Sequence, residues 1–253
     1  EYNVSVTVGN DKSSFYTSVN YLSNDDITAN SEYERLTGRL KADYQVKEWL
    51  KVGANMAYTH FDANSLDEDG SSGSSGNVFA IATQVAPIYP LYLRDGNGNI
   101  MYDSNGFVWY DFGQGENAGM GRPVYFGSNA IAESQLNTNN YEGNSMNATG
   151  FFEVRFLKEF KFTSTNSAYV DETRTSLVTN PYYGQYANSN GILYKYHTRT
   201  FSYNFQQLLN WKRSFGEHNM DVMLGHESYR QKYYSVLANK SNMFDPTNNE
   251  LAG

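Results

Sequence analysis

The chain has 253 residues, no cysteine, and 19 basic against 27 acidic side chains, a formal net charge of -8. Without thiols there is no disulfide framework, cysteine zinc site or thiol nucleophile. The acidic balance lacks the basic stripe that neutralises phosphate, so nucleic acid is not an expected partner, and no run of about 18 apolar residues is present to form a membrane-spanning helix. Aromatic residues make up 16% and charged residues 18% of a chain whose mean hydropathy is -0.63. That is too aromatic and too weakly charged for disorder. It suits β-structure with one apolar and one polar face.

Periodicity confirms the element type. Tyr2, Val4, Val6 and Val8 alternate with Asn3, Ser5 and Thr7, a period of two that no helix shares. Phe15 to Leu22 returns as the second arm of a hairpin, with Gly9 to Lys12 expected to supply the positive-φ positions of a tight turn. In the third run Leu36, Gly38, Leu40, Ala42, Tyr44 and Val46 share one face, and Arg35, Thr37, Arg39, Lys41, Asp43 and Gln45 the other. A slip of one residue would exchange the faces. If the apolar face meets lipid, each Arg or Lys brought to the midplane costs about 2 to 4 kcal/mol, which pins the register. The chain turns at Lys47-Glu48 and returns through Leu50, Val52, Ala54, Met56 and Tyr58.

The same pattern recurs in Met146 to Phe156 and, after a turn at Lys158-Glu159, in Phe160 to Val170. It recurs again in Phe201 to Trp211 and, after Arg213 to Asn219, in Met220 to Tyr229, where Met223 and His226 blur the alternation. This makes about eight strands in four hairpins. The connections at one end are short; those at the other, Ser23 to Glu32, Phe61 to Tyr141, Asp171 to Tyr196 and Gln231 onward, are long. Short turns on one side and long loops on the other, joining strands able to cross a bilayer, predict an all-β outer-membrane barrel. Trp49, Phe160 and Phe215 stand beside the short turns, where an interfacial aromatic girdle would lie. A soluble β-sandwich also alternates and is the competing architecture.

Residues 61–141 form an insertion too long to be a passive connection. Within it Val78, Ile81, Ala82 and Val85 have helical spacing that stops at Pro87, which predicts one short helix. Asp69 to Gly76 reads as a Gly/Ser loop. Asp95, Asn97, Asn99 and Asp103 space oxygens like a calcium loop, but Ile100 occupies the position where an EF-hand requires Gly. A Gly-rich β-turn between Leu91-Tyr92-Leu93 and Ile100-Met101-Tyr102 is the better reading.

The opening hairpin through Tyr21-Leu22-Ser23-Asn24-Asp25-Asp26-Ile27, the strand Arg35 to Val46, Trp49-Leu50-Lys51-Val52-Gly53, and Ala86-Pro87-Ile88-Tyr89-Pro90-Leu91-Tyr92 before Asp95-Gly96 together resemble the SusC/RagA family of TonB-dependent outer-membrane transporters. The resemblance runs in order through essentially the whole chain. It implies a 22-stranded barrel with an N-terminal plug, a SusD-like surface lipoprotein as partner, coupling to the TonB complex through the plug, surrounding outer-membrane lipid, and energised import of oligosaccharides or peptides. No plug, TonB box or terminal aromatic strand is recognisable, so the chain reads as a section of the barrel domain.

Catalysis finds no support. His60, His197, His218 and His226 lack paired-ligand spacing, no nucleophile elbow or P-loop is present, and Asp67-Glu68-Asp69 lies in Gly/Ser sequence that cannot hold acid and base in register. No cofactor or metal is expected. Binding is better supported. Trp109, Tyr110, Asp111, Tyr125, Tyr182, Tyr183 and Tyr186 lie in long loops among amides and carboxylates, a combination that stacks on sugar C–H faces and hydrogen-bonds hydroxyls or peptide groups. The alternative role for each is to pack the loops together. Arg35, Arg39, Lys41, Asp43, Glu153 and Arg155 are expected to face the lumen and to pair with one another or with a plug.

Overall fold

The computed structural model describes residues 1–65, 78–104, 106–183, 187–243 and 250–252. The Gly/Ser segment from Asp69 to Gly76 and the Asp67-Glu68-Asp69 carboxylates lie outside the described residues, as does Tyr186. Eight strands form one antiparallel sheet in chain order, β1 Tyr2–Gly9, β2 Ser13–Asp25, β3 Glu32–Lys47, β4 Leu50–Asn64, β5 Thr138–Phe156, β6 Phe160–Thr179, β7 Ile192–Phe215 and β8 His218–Ser241. Every neighbour in space is a neighbour in sequence, so each contact closes through a hairpin or a loop. The sheet is open, with β1 and β8 at its edges. A sandwich needs a second sheet against the apolar face. Among the described residues there is none, and Tyr2, Val4, Val8 and Val19 are left half or more exposed. The sandwich reading is therefore corrected to a single barrel-type wall.

Register carries the alternation across the sheet. Val6, Thr17, Leu40, Met56, Ala148, Ala168 and Tyr203 pair in one row, and Val4, Val19, Gly38, Tyr58, Met146, Val170 and Phe201 in the next. Directly paired residues lie on the same face, so these rows make a continuous apolar band. On the opposite face Ser5, Ser18, Arg39, Ala57, Asn147, Tyr169 and Ser202 form a mainly polar row. Near the short turns the rings of Phe156, Phe160, Trp211 and Phe215 follow one another at centroid separations of 5.4, 6.5 and 6.2 Å.

Several boundaries differ from the sequence expectation. β6 continues to Thr179 and β7 begins at Ile192, so most of residues 171–196 is ladder. Likewise β4 reaches Asn64 and β5 starts at Thr138, which trims the insertion, and β8 runs on to Ser241. These outer stretches mix charged, polar and apolar residues on each face, with Arg174, Lys195 and Lys240 beside Val178 and Leu193 on one of them, so they show no apolar alternation. Their backbone pairing holds them extended. The last hairpin closes on Gly216-Glu217 alone, with Gly216 at φ 59°, instead of over Arg213 to Asn219. The first turn uses no positive φ. Asn10 Oδ1 accepts from the Lys12 and Ser13 amides at 2.8 and 2.9 Å and does the work assigned to a left-handed backbone. The positive-φ pair sits instead at Leu157 and Lys158, at 50° and 58°.

Gly143 shows where a side chain is forbidden. It pairs with Phe61, and a Cβ there would lie 2.2 Å from Phe61 Cε1. The ring occupies the space the glycine leaves. Gly143→Ala should therefore cost about 1 kcal/mol by overpacking, read as a lower urea midpoint of the folded barrel, while Phe61→Ala in the same background should recover much of the loss.

Candidate functional site

The insertion builds a small platform beyond the end of the sheet. Three extended segments interlock through a ring of main-chain hydrogen bonds: Leu93 N donates to Trp109 O at 2.8 Å, Trp109 N to Met101 O at 2.9 Å, and Met101 N to Leu93 O at 3.0 Å. Single bridges at Tyr92 with Tyr110, Arg94 with Ile100, and Tyr102 with Val108 complete the three pairings. The segments recur every eight residues, and the recurring element carries a cause. Asp95, Asp103 and Asp111 each close the turn that follows: Asp95 Oδ1 accepts from the Asn97 and Asn99 amides at 2.9 Å, Asp103 Oδ1 from Phe107 N at 2.8 Å, and Asp111 Oδ1 from Gly113 N. The Asn99 amide hydrogen bond, more than any other contact, holds the Asp95 carboxyl below its ordinary range. Oδ1 is committed to two backbone amides and Oδ2 accepts from Asn99 Nδ2 at 3.2 Å, the chemistry of a turn closed by its side chains.

Two helices fasten this platform. α1 is Val78–Gln84, where the helical spacing placed it, and α2 is Ala130–Leu136, a second helix the sequence reading did not assign. Asn129 caps α2, accepting from the Ile131 and Ala132 amides at 3.0 and 3.1 Å. Its Nδ2 donates to Leu91 O and Asp111 O at 2.8 and 2.9 Å, so one buried side chain ties the helix to the platform. At the other end Asn137 Oδ1 accepts from Asn180 N and Asn180 Nδ2, anchoring the β6–β7 loop. Asn30 Nδ2 donates to Ser134 O, which adds the β2–β3 loop.

These anchors place the Asn180 loop beside the platform, and a cleft of about 230 Å³ opens between them. Trp109, Tyr110, Phe112 and Tyr183 line it with Leu93, Gln114 and Glu116. Tyr183 stacks on Phe112 at 6.2 Å and its hydroxyl donates to Asp103. Desolvation, with the Asp103 carboxylate beside it, pushes the Tyr183 hydroxyl up to about 12, so it stays protonated and remains a donor. Tyr110 is buried and donates to Gln135 Oε1 at 2.9 Å; its phenol is raised by the same burial. Trp109 is 38% exposed and presents the open aromatic surface of the cleft.

Of the seven loop residues expected to meet solute, the structure brings together Trp109, Tyr110 and Tyr183. Asp111 is corrected to a structural role: it is completely buried, spends Oδ1 on the Gly113 amide, and cannot reach a ligand. Tyr125 lies outside the cleft at φ 52°, its carbonyl accepting from Arg122. Tyr182 packs against Phe107 at 5.1 Å, one position removed from the cleft wall. Gln114 and Glu116 went unremarked in the sequence, and Leu93 was read there only as a flank of the Asp95 turn. Gln114 and Glu116 flank Gly115, at φ 97°, and that turn was the available signal that the chain doubles back there.

The polar-face charges share one side of the sheet with the register expected. Asp43 pairs with Gly53 and Glu153 with Lys51, in adjacent rows. Lys41 Nζ lies 3.9 Å from Asp43 Oδ2, Arg155 Nη2 lies 2.8 Å from Glu153 Oε1, and Lys161 Nζ approaches the other oxygen, Glu153 Oε2, at 3.7 Å. Arg39 donates to Asn55 Oδ1 at 3.2 Å. Arg35 stands on the same face, opposite Phe61. Such half-exposed pairs are worth at most about 1 kcal/mol each; they order the wall more than they stabilise it.

No family model matches the chain. Two TonB-dependent receptors of Formosa agariphila do, P3 at 26% identity over 226 residues and P26 at 24% over 251 residues, covering 88% and 97% of this chain. The chain spans about a fifth of the length of these relatives, 20% and 22% respectively. Among solved structures, the RagAB peptide transporter superposes with a TM-score of 0.67 at 21% identity, over 96% of this chain and 26% of that one. The RagAB peptide importer in its open-open state gives 0.69 at 22%, over 94% and 25%. The ferripyoverdine receptor of Pseudomonas aeruginosa gives 0.54 at 11%, over 93% and 26%. All are named as receptors or transporters, none as an enzyme. With its two-faced meander and unequal loops, the chain is similar in sequence and in fold to a section of a TonB-dependent receptor barrel.

Proposed function

We propose that the chain supplies barrel wall and extracellular solute-contacting loops to an outer-membrane TonB-dependent importer of oligosaccharides or peptides. The observation that carries the solute-binding role is the cleft of Trp109, Tyr110, Phe112 and Tyr183 with Gln114 and Glu116 on its rim. An indole face beside an amide and a carboxylate stacks on a sugar ring or on a peptide side chain, and hydrogen-bonds hydroxyls or main-chain amides. The RagAB neighbours transport peptides and favour that member of the pair. On this reading the apolar band faces outer-membrane lipid, Arg35, Arg39, Lys41, Asp43, Glu153 and Arg155 face the lumen, a SusD-like surface lipoprotein covers the loop side, and a plug couples the barrel to the TonB complex. Residues 61–141 act as an extracellular insertion of the barrel domain.

The test is Trp109→Ala in the full-length transporter, titrated with a panel of oligosaccharides and peptides. Binding of the cognate class should weaken roughly tenfold, about 1.4 kcal/mol, with the folded barrel unchanged on a heat-modifiability gel. Unchanged affinity for every ligand that the parent binds would remove the cleft from the solute path. A parent protein that stays monodisperse without detergent would remove the outer-membrane reading altogether.

A further inference from the structure

Charge on the outward, apolar-side face is unevenly divided beyond the lipid band. Across β2 to β5 the outer rows of that face carry Asp25, Glu32, Glu34, Asp62 and Glu142. Across β6 to β8 they carry Arg174, Lys195, Arg199, Arg230, Lys232 and Lys240 with His197, and Glu172 is the one carboxylate on that face of the three strands. Six of the 19 lysines and arginines of a chain with net charge -8 are thus gathered on one patch.

Strand length fixes the height of the patch. A barrel strand crosses the hydrocarbon in about 9 to 11 residues, which from the short turns is used up by Val170 on β6 and Ser228 on β8. Arg230, Lys232 and Arg174 come next, at the level of the headgroups. Phe201 and Tyr203 stand in the rows of Lys232 and Arg230, and Tyr234 stands opposite Arg199, the aromatic setting of a membrane interface. Above them a cavity of about 430 Å³ opens among Arg174, Lys195 and His197, with Val236, Ala238 and Leu251 as apolar wall. Glu142 and Glu250 also border it, and Lys195 Nζ lies 4.0 Å from Glu250. Glu172 takes up part of the positive charge, at 3.0 Å from Arg174 Nη2 and 3.1 Å from His197 Nε2. Glu142, Glu172 and Glu250 offset the charge around the cavity, while Arg230 and Lys232 below it share their rows with Tyr203 and Phe201 and with no carboxylate on that face of β6 to β8.

We infer that this patch binds the phosphorylated headgroup of an outer-leaflet glycolipid, the phosphates on Arg199, Arg230 and Lys232 and the upper part of the headgroup in the cavity above. Charge complementarity and continuity with the lipid band select this occupant over a soluble acidic protein, which would need the patch to project clear of the bilayer. The inference rests on the outer-membrane placement proposed above.

The experiment uses the full-length transporter in nanodiscs, with native mass spectrometry counting bound bis-phosphorylated lipid A, its dephosphorylated form, and inorganic phosphate as competitor. Arg199→Gln, Arg230→Gln and Lys232→Gln are combined in one variant. Occupancy by the phosphorylated lipid should fall about tenfold or more, since each basic group near a charged interface contributes appreciably. Lys47→Gln with Lys158→Gln, at the short turns, should leave it unchanged. Equal occupancy in a heat-modifiable triple variant, or equal binding of the dephosphorylated lipid, overturns the lipid site alone. Displacement by phosphate at matched concentration makes it a small-anion site and also overturns it. Loss of heat-modifiability and detergent dependence in the parent overturns the placement and the lipid site together.

Discussion

Ala54→Arg should cost the folded barrel about 2 to 4 kcal/mol, the measured scale for a guanidinium at the lipid midplane of an outer-membrane barrel. Ala54 pairs with Ala42 on one side and Gly150 on the other, and Val52 and Met56 flank it on the same face of β4. It is the centre of the apolar band on that strand, far from either interface, so the arginine has no short route to water. Asn147→Arg is the matched control. Asn147 sits between Ala57 and Tyr169 on the polar face, where a cation meets water and other polar side chains. That substitution should change stability by less than about 0.5 kcal/mol, as surface changes usually do. The measurement is urea unfolding in liposomes followed by tryptophan fluorescence. Equal costs for the two variants would mean that both faces are wet, and the barrel assignment would fail with them.

The contrast works because face identity is the part of this structure most fully written in the sequence. Arg35 to Val46 states its register residue by residue, since any slip moves charge into the apolar face. The pattern fades where its physical cause fades. Beyond Asp171 and before Tyr196 charge enters the apolar-side face, at Glu172, Arg174 and Lys195, and the ladder continues without the alternation that marks the inner part of the strands. β8 shows the same transition within one strand, from Val222 and Leu224 to His226, Ser228 and Arg230 on a single face. Turn chemistry was legible in residue type but not in mechanism. Asn10 marks the first turn as expected, yet it acts through its side chain and not through its backbone.

The candidate site was legible only in part, and the reason lies in distance along the chain. Trp109 and Tyr110 announce themselves as loop aromatics, but Tyr183 joins them only because Asn137 holds Asn180 and so brings a loop more than 40 residues away to the platform. Local sequence carries no trace of that bond. Asp111 deceived for a related reason. A carboxylate between two aromatic residues resembles a binding group, and its use as a buried turn-closing acceptor emerges only when the eight-residue recurrence of Asp95, Asp103 and Asp111 is seen in three dimensions.

Raising the pH from 5 to 8 should loosen the same junction, and Glu133→Gln should abolish the effect. Glu133 lies in α2 with its side chain partly buried, and desolvation pushes its carboxyl up to about 7 against an ordinary 4.5, the Asn137 hydrogen bond pulling weakly the other way. A raised acid binds more protons folded than unfolded between those two values, so stability is greatest below pH 4.5, falls as pH rises through that window, and levels off above 7. The full cost of ionisation is on the order of 3 kcal/mol at most. Asn137 transmits it, because the same amide donates to Glu133 while its oxygen holds Asn180, the residue that positions Tyr182 and Tyr183 through their amides. Hydrogen exchange of the Asn180, Tyr182 and Tyr183 amides, corrected for intrinsic rates, should show protection at pH 5 that declines toward pH 8 in the parent. In Glu133→Gln protection should stay at its low-pH level throughout. A parallel decline in the variant would place the titrating group elsewhere, and protection that rises with pH would reverse the sign of the argument.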